Sequence, residues 1–281
     1  MFACIDFKQI KKTAKTVLIA VSVLAVIICK RSIFDKRSIL TSADGKPKGY
    51  IAIIIDDFGY NGEGTEEMLA LDIPFTAAIM PFSEKSSENV EEVKNAGKEY
   101  IIHMPMESLT GKRSWVGDKG IFTNMSSEEI AKRVDEAFET ADGAAGMNNH
   151  MGSAVMENES CLSAVLDAVK EHDAVFIDSV TSGKSKGEKL CKEKGICFFK
   201  RDVFLDSTRD INVVTKRLEE AKEKALKNGF AIAIGHVGPE GGKTTAQAIK
   251  QMTPKLMSEG IEFVTISKMK ELIENDGRGI Y

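Results

Sequence analysis

The stretch IAIIIDDFGYN, residues 51–61, runs five aliphatic positions directly into two adjacent carboxylates, Asp56 and Asp57. An apolar run of this kind, without polar alternation, is expected of a strand buried on both faces, as in a parallel sheet. Two neighbouring negative charges at its end disfavour each other's ionisation unless a cation, a proton or solvent intervenes. The stretch therefore predicts an α/β fold, and it places a concentration of charge where such folds bind their ligands.

Further along the chain the same grammar repeats. Short apolar runs at 50–55, 74–80, 100–102, 143–147, 174–177, 196–199, 230–234 and 261–264 read as strands. Helical periodicity fills 63–71, 86–97, 126–141, 158–171, 185–194, 210–228, 244–258 and 267–275. Ser126 and Glu129 have the spacing of a capping box, and Asn228-Gly229 and Glu259-Gly260 are helix stops. Repeated strand–helix alternation predicts an irregular (β/α) barrel of seven to eight units, with an open doubly wound sheet as the other arrangement. The fourth run, GAAGM, has little β propensity, which is why a symmetric barrel is not expected.

Unusual residues follow these strands. They are Asp56 and Asp57, His103 in YIIHMPME, His150 in GMNNHMGS, Asp178 in FIDS, Asp202 in FFKRD and His236 in IAIGHVG. Carboxylates and imidazoles gathered at one sheet edge suit zinc or another divalent first-row metal. Asp178 and Asp202 could equally be helix N-caps. His172 sits at a helix C-terminus, where it suits the dipole. Asn148 and Asn149 beside His150 are poor core material. The segment GHVGPEGGKTT, residues 235–245, misses a phosphate-binding loop by one residue and reads as a turn that exposes His236.

The 281-residue chain carries a net charge of −4 with both signs interspersed, which argues against nucleic acid as a partner. The N-terminus differs in kind. Lys8, Lys11, Lys12 and Lys15 lead into the uncharged run TVLIAVSVLAVIIC, residues 16–29, and Lys30 and Arg31 follow it. The run is short of the roughly 20 residues of a full span. With a basic lead and no small-residue cleavage site, it is expected to be an uncleaved signal anchor. The predicted organisation is an anchor over 1–31, a polar linker over 32–48 and a barrel domain over 49–281. The barrel is then held on the extracytoplasmic, periplasmic side of the cell envelope, with the membrane as partner of the N-terminal segment. Of the barrel's three cysteines, Cys161, Cys191 and Cys197, the last two could pair in an oxidising compartment.

In order, the segments IIDDFG, HMPME, NNHMGS, FIDS and GHV resemble the divergent polysaccharide deacetylases, relatives of the polysaccharide deacetylases of the carbohydrate esterase group, over roughly residues 48–275. The resemblance implies an irregular β/α barrel, a divalent metal (zinc) and a carbohydrate substrate from which acetyl groups are hydrolysed. It implies Asp56 as general base, Asp57 and His103 as metal ligands and His236 as general acid. Where the better-known deacetylases carry H-x-x-x-H, this chain has His103 and Glu107, and His150 is the candidate for the displaced ligand. Asn148, Asn149 and Asp178 are left to orient substrate or support the ligands. The metal would polarise the acetyl carbonyl and acidify a water, Asp56 would take the proton and His236 would protonate the leaving group. Glu107 keeps a second expectation open, a barrel without turnover that serves as a glycan-binding or envelope-scaffold protein. A phosphoesterase would call for more basic residues than Lys184, Lys186, Lys200 and Arg201.

Overall fold

The computed structural model describes residues 46–275. The anchor expected over 1–31, and the linker as far as residue 45, lie outside the described residues. Among the described residues no helix is long and apolar enough to cross a membrane.

The strands are β1 (Gly49–Phe58), β2 (Thr76–Ile79), β3 (Glu99–Met106), β4 (Gly146–Met151), β5 (Val175–Asp178), β6 (Phe198–Lys200), β7 (Val203–Phe204), β8 (Phe230–His236) and β9 (Ile261–Val264). They pair in the order β6-β5-β4-β3-β2-β1-β8-β7, with β9 also on β1, and the pairings of β1 with β2, β8 and β9 are parallel. The two ends of this series are consecutive in the chain. Arg201 N donates to Asp178 O at 2.9 Å, and Asp202 N donates to Ile232 O at 2.8 Å. One interrupted strand thus bonds β5 with its first half and β8 with its second, which brings the sheet round into an irregular β/α barrel. The longer helices around it are α2 (Ser86–Asn95), α4 (Ser127–Thr140), α6 (Glu159–Glu171), α7 (Gly187–Lys194), α8 (Ile211–Asn228), α9 (Gly242–Ser258) and α10 (Ile266–Asn275). Short helices α1 (Thr65–Leu69), α3 (Arg113–Val116) and α5 (Ser153–Glu157) lie in the connections.

Period two explains the double burial of β1. Ile51, Ile53 and Ile55 belong to the core shared with the helices, while Ala52 and Ile54 join Ile101, Ile177, Ile232 and Ile234 in a separate inner core. Continued upward, the inner row reaches Asp56 from β1, His103 from β3 and His236 from β8. The aliphatic interior therefore ends in a polar layer at the barrel's C-terminal mouth.

Two irregularities matter for that layer. Between the pairs Ile55–Ala77 and Phe58–Ile79, β1 advances three residues while β2 advances two. Asp57 absorbs the extra residue with φ 68°. Such a bulge re-aims side chains, and a left-handed non-glycine residue costs on the order of 1–3 kcal/mol. The second irregularity is β9, which pairs with Gly49–Ala52 of β1 below the stretch that β2 uses. Glu99 Oε1 fixes the wedge by accepting from Ile266 N at 2.9 Å and from Thr76 Oγ1 at 2.7 Å.

Three expectations are corrected. The fourth strand lies at 146–151 instead of 143–147, because the polar side chains of Asn148 and His150 find partners across the barrel mouth that outweigh their weak β propensity. The brief strand β7 and the short helices α3 and α5 were not anticipated, being too short to show a period. Cys161, Cys191 and Cys197 are free. Cys191 packs in the helix-side core and Cys197 against the inner one, so the sheet layer separates them. The expected capping box on α4 is present.

Candidate active site

The bulge turns both carboxylates of β1 toward one place. Asp56, 2% exposed, follows Ala52 and Ile54 on the inner face, and its Oδ1 accepts from Asn148 Nδ2 at 2.8 Å. Asp57 would face the helices in a regular strand. With its left-handed backbone its Oδ1 instead lies 3.3 Å from His103 Nε2 and 3.2 Å from His150 Nδ1. The two ring nitrogens are 3.1 Å apart. Three donor atoms thus stand at the corners of a nearly equilateral triangle. Ligands at about 2.1 Å around one tetrahedral ion would be about 3.4 Å apart, so the spacing fits a single metal with the nitrogen and oxygen donors that zinc takes.

Asn148 orients this triangle. Its amide nitrogen donates to Asp56, so its oxygen faces His103 Nδ1 at 2.7 Å. An amide oxygen only accepts, so the His103 proton belongs on Nδ1 and the Nε2 lone pair points at Asp57 and His150. A metal-binding histidine is usually held by just such a carbonyl on its other nitrogen. Burial works against charge on His103, yet Asp56 and Asp57 outweigh it and hold its pKa above the usual histidine value. A proton or a metal ion at Nε2 satisfies that field equally. Burial also acts to raise the Asp57 pKa, but hydrogen bonds and charge from His103 and His150 hold it well below the carboxylate range. Replacing Asn148 by Ala is expected to weaken metal binding by about 10–100-fold, measured by chelator competition; unchanged affinity would mean that the amide does not set the ligand geometry.

His236 ends β8 as the register partner of Asp56. Its Nδ1 lies 2.8 Å from Asp206 Oδ1, and Asp206 Oδ2 accepts from His236 N at 2.7 Å and from Thr245 Oγ1 at 3.0 Å. Burial opposes the imidazolium, but the Asp206 bond and the charges of Asp56, Asp206 and Asp57 prevail and push the His236 pKa up to about 9. Asp206 escaped the sequence analysis, which marked Asp202 on this stretch. Asp202 instead accepts from Ile232 N at 2.9 Å and braces the barrel closure. The signal for Asp206 was its position two residues past Val203–Phe204, and it is visible only once those two residues are known to be a strand.

Asn149 alternates with Asn148 and His150; its oxygen accepts from Ser179 N at 3.0 Å, and its nitrogen donates to Met151 O and Thr181 Oγ1. Asp178 accepts from Val180 N at 2.7 Å and Ser185 Oγ at 2.6 Å, which ties down the loop after β5. Both were expected to orient substrate or support the ligands; their hydrogen bonds tie β4 to the β5 loop and hold that loop. Glu107 accepts from Thr123 N at 2.8 Å and Thr123 Oγ1 at 2.6 Å. It anchors the loop after β3, while His150 completes the triangle. His172 caps α6, pairs with Asp135 at 2.8 Å and stacks on Phe138.

The family model of the divergent polysaccharide deacetylases matches residues 53–270. A protein of Haemophilus influenzae is 34% identical over 189 residues, 67% of this chain and 67% of its own. The solved structure of a protein from Agrobacterium tumefaciens C58 superposes with a TM-score of 0.70 at 18% identity, covering 82% of this chain and 97% of that one. A peptidoglycan N-acetylglucosamine deacetylase superposes with a TM-score of 0.51 at 15% identity, covering 78% and 87%. At these identities the structural likeness is one of fold, the irregular β/α barrel.

Proposed function

Because the chain belongs to the divergent polysaccharide deacetylase family, we propose that it is a metal-dependent hydrolase that removes acetyl groups from a cell-envelope polysaccharide or a related glycan. The observation that carries this reading is the Asp57–His103–His150 triangle with Asp56 beside it and the Asp206–His236 pair on the next strand. Asp57, His103 and His150 would hold a divalent ion, zinc by the character of the donors. When bound, the ion supplies Lewis acidity toward the acetyl carbonyl and makes water more acidic.

The chain's own groups perform the proton transfers. Asp56 takes a proton from the attacking water as oxygen bonds to the acetyl carbon. Burial, with Asp57 adding to it, holds the Asp56 pKa above the ordinary carboxylate value against the opposing pull of His103, His236 and Asn148. That makes Asp56 a stronger base than a surface aspartate. His236, protonated below about pH 9, delivers its proton to the nitrogen or oxygen of the sugar as the bond to the acetyl carbon breaks, and acetate leaves. The N-terminal basic and apolar segment fits a protein working outside the cytoplasm on envelope material.

The test is to measure metal content and acetate release with the full chain on a panel of N- and O-acetylated glycans. Near-stoichiometric metal with acetate release supports the hydrolase. Bound glycan without metal uptake or acetate would leave the non-catalytic barrel as the better account.

Asp206→Asn gives a pH test. The His236 pKa is raised, so the acid is present below about pH 9 and rate falls as pH rises through that value. Without the Asp206 charge the pKa drops, and the alkaline limb of kcat/KM is expected at lower pH. Each unit of displacement costs about tenfold in rate above the limb. An unmoved limb in the pH–rate profile would detach Asp206 from the acid.

A further inference from the structure

The left-handed backbone at Asp57 is followed by two more residues of the same kind. Gly59 has φ 122° and Asn61 has φ 51°, so three alternate residues of the stretch 57–61 lie where ordinary side chains are uncommon. Such backbone persists only where its surroundings over-determine it. The β1 ladder does not reach far enough to do so, since its last register pairs are Asp56–His236 and Phe58–Ile79. The connection between β2 and α2 takes over. Met80 N donates to Phe58 O at 2.8 Å, and Lys85 N donates to Gly59 O at 3.1 Å. Gly59 packs so closely on this connection that a Cβ there would stand 2.4 Å from Ser83 Oγ.

One buried side chain gathers the stretch. Asn89 is the fourth residue of α2 and is 0% exposed, on the helix face that also buries Val90 and Val93. An amide in such a place must be hydrogen-bonded. Its Oδ1 accepts from Gly59 N at 2.6 Å, and its Nδ2 donates to Asn61 Oδ1 at 2.5 Å and to Glu92 Oε2 at 2.6 Å. The oxygen and both amide hydrogens are thereby engaged. An apolar side chain of the same size could make none of these bonds, and a carboxylate could not donate to Asn61. Glu88 Oε1 adds a brace by accepting from Asn61 Nδ2 at 3.2 Å. Asp57 therefore stands between two fixed points, the ladder pair Asp56–His236 on one side and the Asn89 bond to Gly59 on the other. With the second point released, the extra residue of the bulge is free to relax toward ordinary φ, and its carboxylate turns away from the two imidazoles.

We propose that Asn89 is a positioning residue for the metal triangle: by clamping Gly59 and Asn61 it keeps Asp57 left-handed and its Oδ1 between His103 and His150. The inference rests on the hydrolase reading for what the triangle holds. It goes beyond that reading by assigning the placement of a ligand to a helix residue whose bonds reach none of the three ligands. An asparagine that served only the stability of the fold would change the Tm and leave the affinity of the folded site as it was.

The test compares Asn89→Leu and Asn89→Asp with Val93→Ala, each in the full chain. Leucine matches asparagine in size and makes none of its bonds, while aspartate keeps an acceptor for Gly59 N and gives up the donor to Asn61. Val93, one turn further along α2 and also 0% exposed, is the control that lowers the Tm without touching the stretch. Zinc affinity is read by chelator competition well below the Tm of each variant. Asn89→Leu is expected to bind zinc about 10–100-fold more weakly, the usual loss when a group that orients a ligand is removed. Asn89→Asp should lose less, and Val93→Ala should bind like the parent despite its lower Tm. Hydrogen exchange over residues 57–61 in metal-free protein is the second readout, expected to quicken in Asn89→Leu and to hold in Val93→Ala. Parent-like zinc affinity in both Asn89 variants, an affinity that falls with Tm in Val93→Ala as well, or unaltered exchange in Asn89→Leu overturns the clamp. Should Asn89→Leu fail to fold, Asn89→Asp carries the same comparison. A parent that takes up no zinc or other divalent ion sinks the hydrolase reading alone, and exchange over 57–61 then decides the clamp by itself.

Discussion

Asparagine at position 56 will leave the metal bound and reduce acetyl release by about 10²–10⁴-fold, the usual worth of a positioned general base. The substitution is nearly isosteric, and the hydrogen-bond pattern can survive it. The new amide oxygen can accept from Asn148 Nδ2, as Asp56 Oδ1 does at 2.8 Å, while its nitrogen occupies the place of Oδ2, 3.7 Å from His103 Nε2. What disappears is a basic oxygen in a pocket only 2% exposed. The acidic limb of the parent's pH–rate profile carries the same information. The Asp56 pKa is raised by burial, so the active carboxylate is lost as pH falls through a value above the ordinary aspartate range. Metal analysis beside initial rates decides the matter. Activity within about tenfold of the parent would exclude Asp56 as the base, and loss of metal would make it a ligand.

Neutralising Asp57 will empty the metal site. Its Oδ1 is the vertex common to both imidazoles, at 3.3 and 3.2 Å, and it supplies the negative charge of the triangle. Asp57→Asn is the informative variant, since asparagine tolerates the left-handed backbone about as well as aspartate, whereas alanine would add strain to the lost charge. Metal per chain is expected to fall from near one to near zero, and the metal-dependent rate with it. His150→Ala should do the same. Glu107→Gln should keep its metal, because that carboxylate is engaged by Thr123. Thermal stability gives a second readout. A metal at 100 times its Kd stabilises the folded protein by about 2.7 kcal/mol, so added zinc should raise the Tm of the parent and of Glu107→Gln but leave Asp57→Asn unmoved. Retained stoichiometric metal in Asp57→Asn would place the ion elsewhere.

Much of the barrel was legible because its signals are local. The run at 51–55 had to be buried on both faces, and the cores on its two sides bear that out. Ser126 and Glu129 announced a helix start within four residues of sequence, and the capping box is there. The strand at 146–151 was misplaced because Asn148 and His150 look like loop residues until their partners on β1 and β3 are known. The bulge was invisible for a related reason. Asp56 and Asp57 alternate in any regular strand, and nothing within IIDDFG says that β1 gains a residue on β2.

The sequence by itself determined the α/β alternation, the burial of the first strand on both faces, and the placing of carboxylates and imidazoles at the C-terminal edge, since each follows from the local apolar pattern or from neighbours in the chain. Tertiary structure alone decided which of them meet. Asp56 and Asn148 bond across 92 positions and His103 and His150 across 47, and Asp206 is coupled to His236 through the short strand β7 that closes the barrel. Such contacts depend on cross-strand register and on one left-handed residue, Asp57. Register is set by the packing of the whole barrel, which no local stretch encodes.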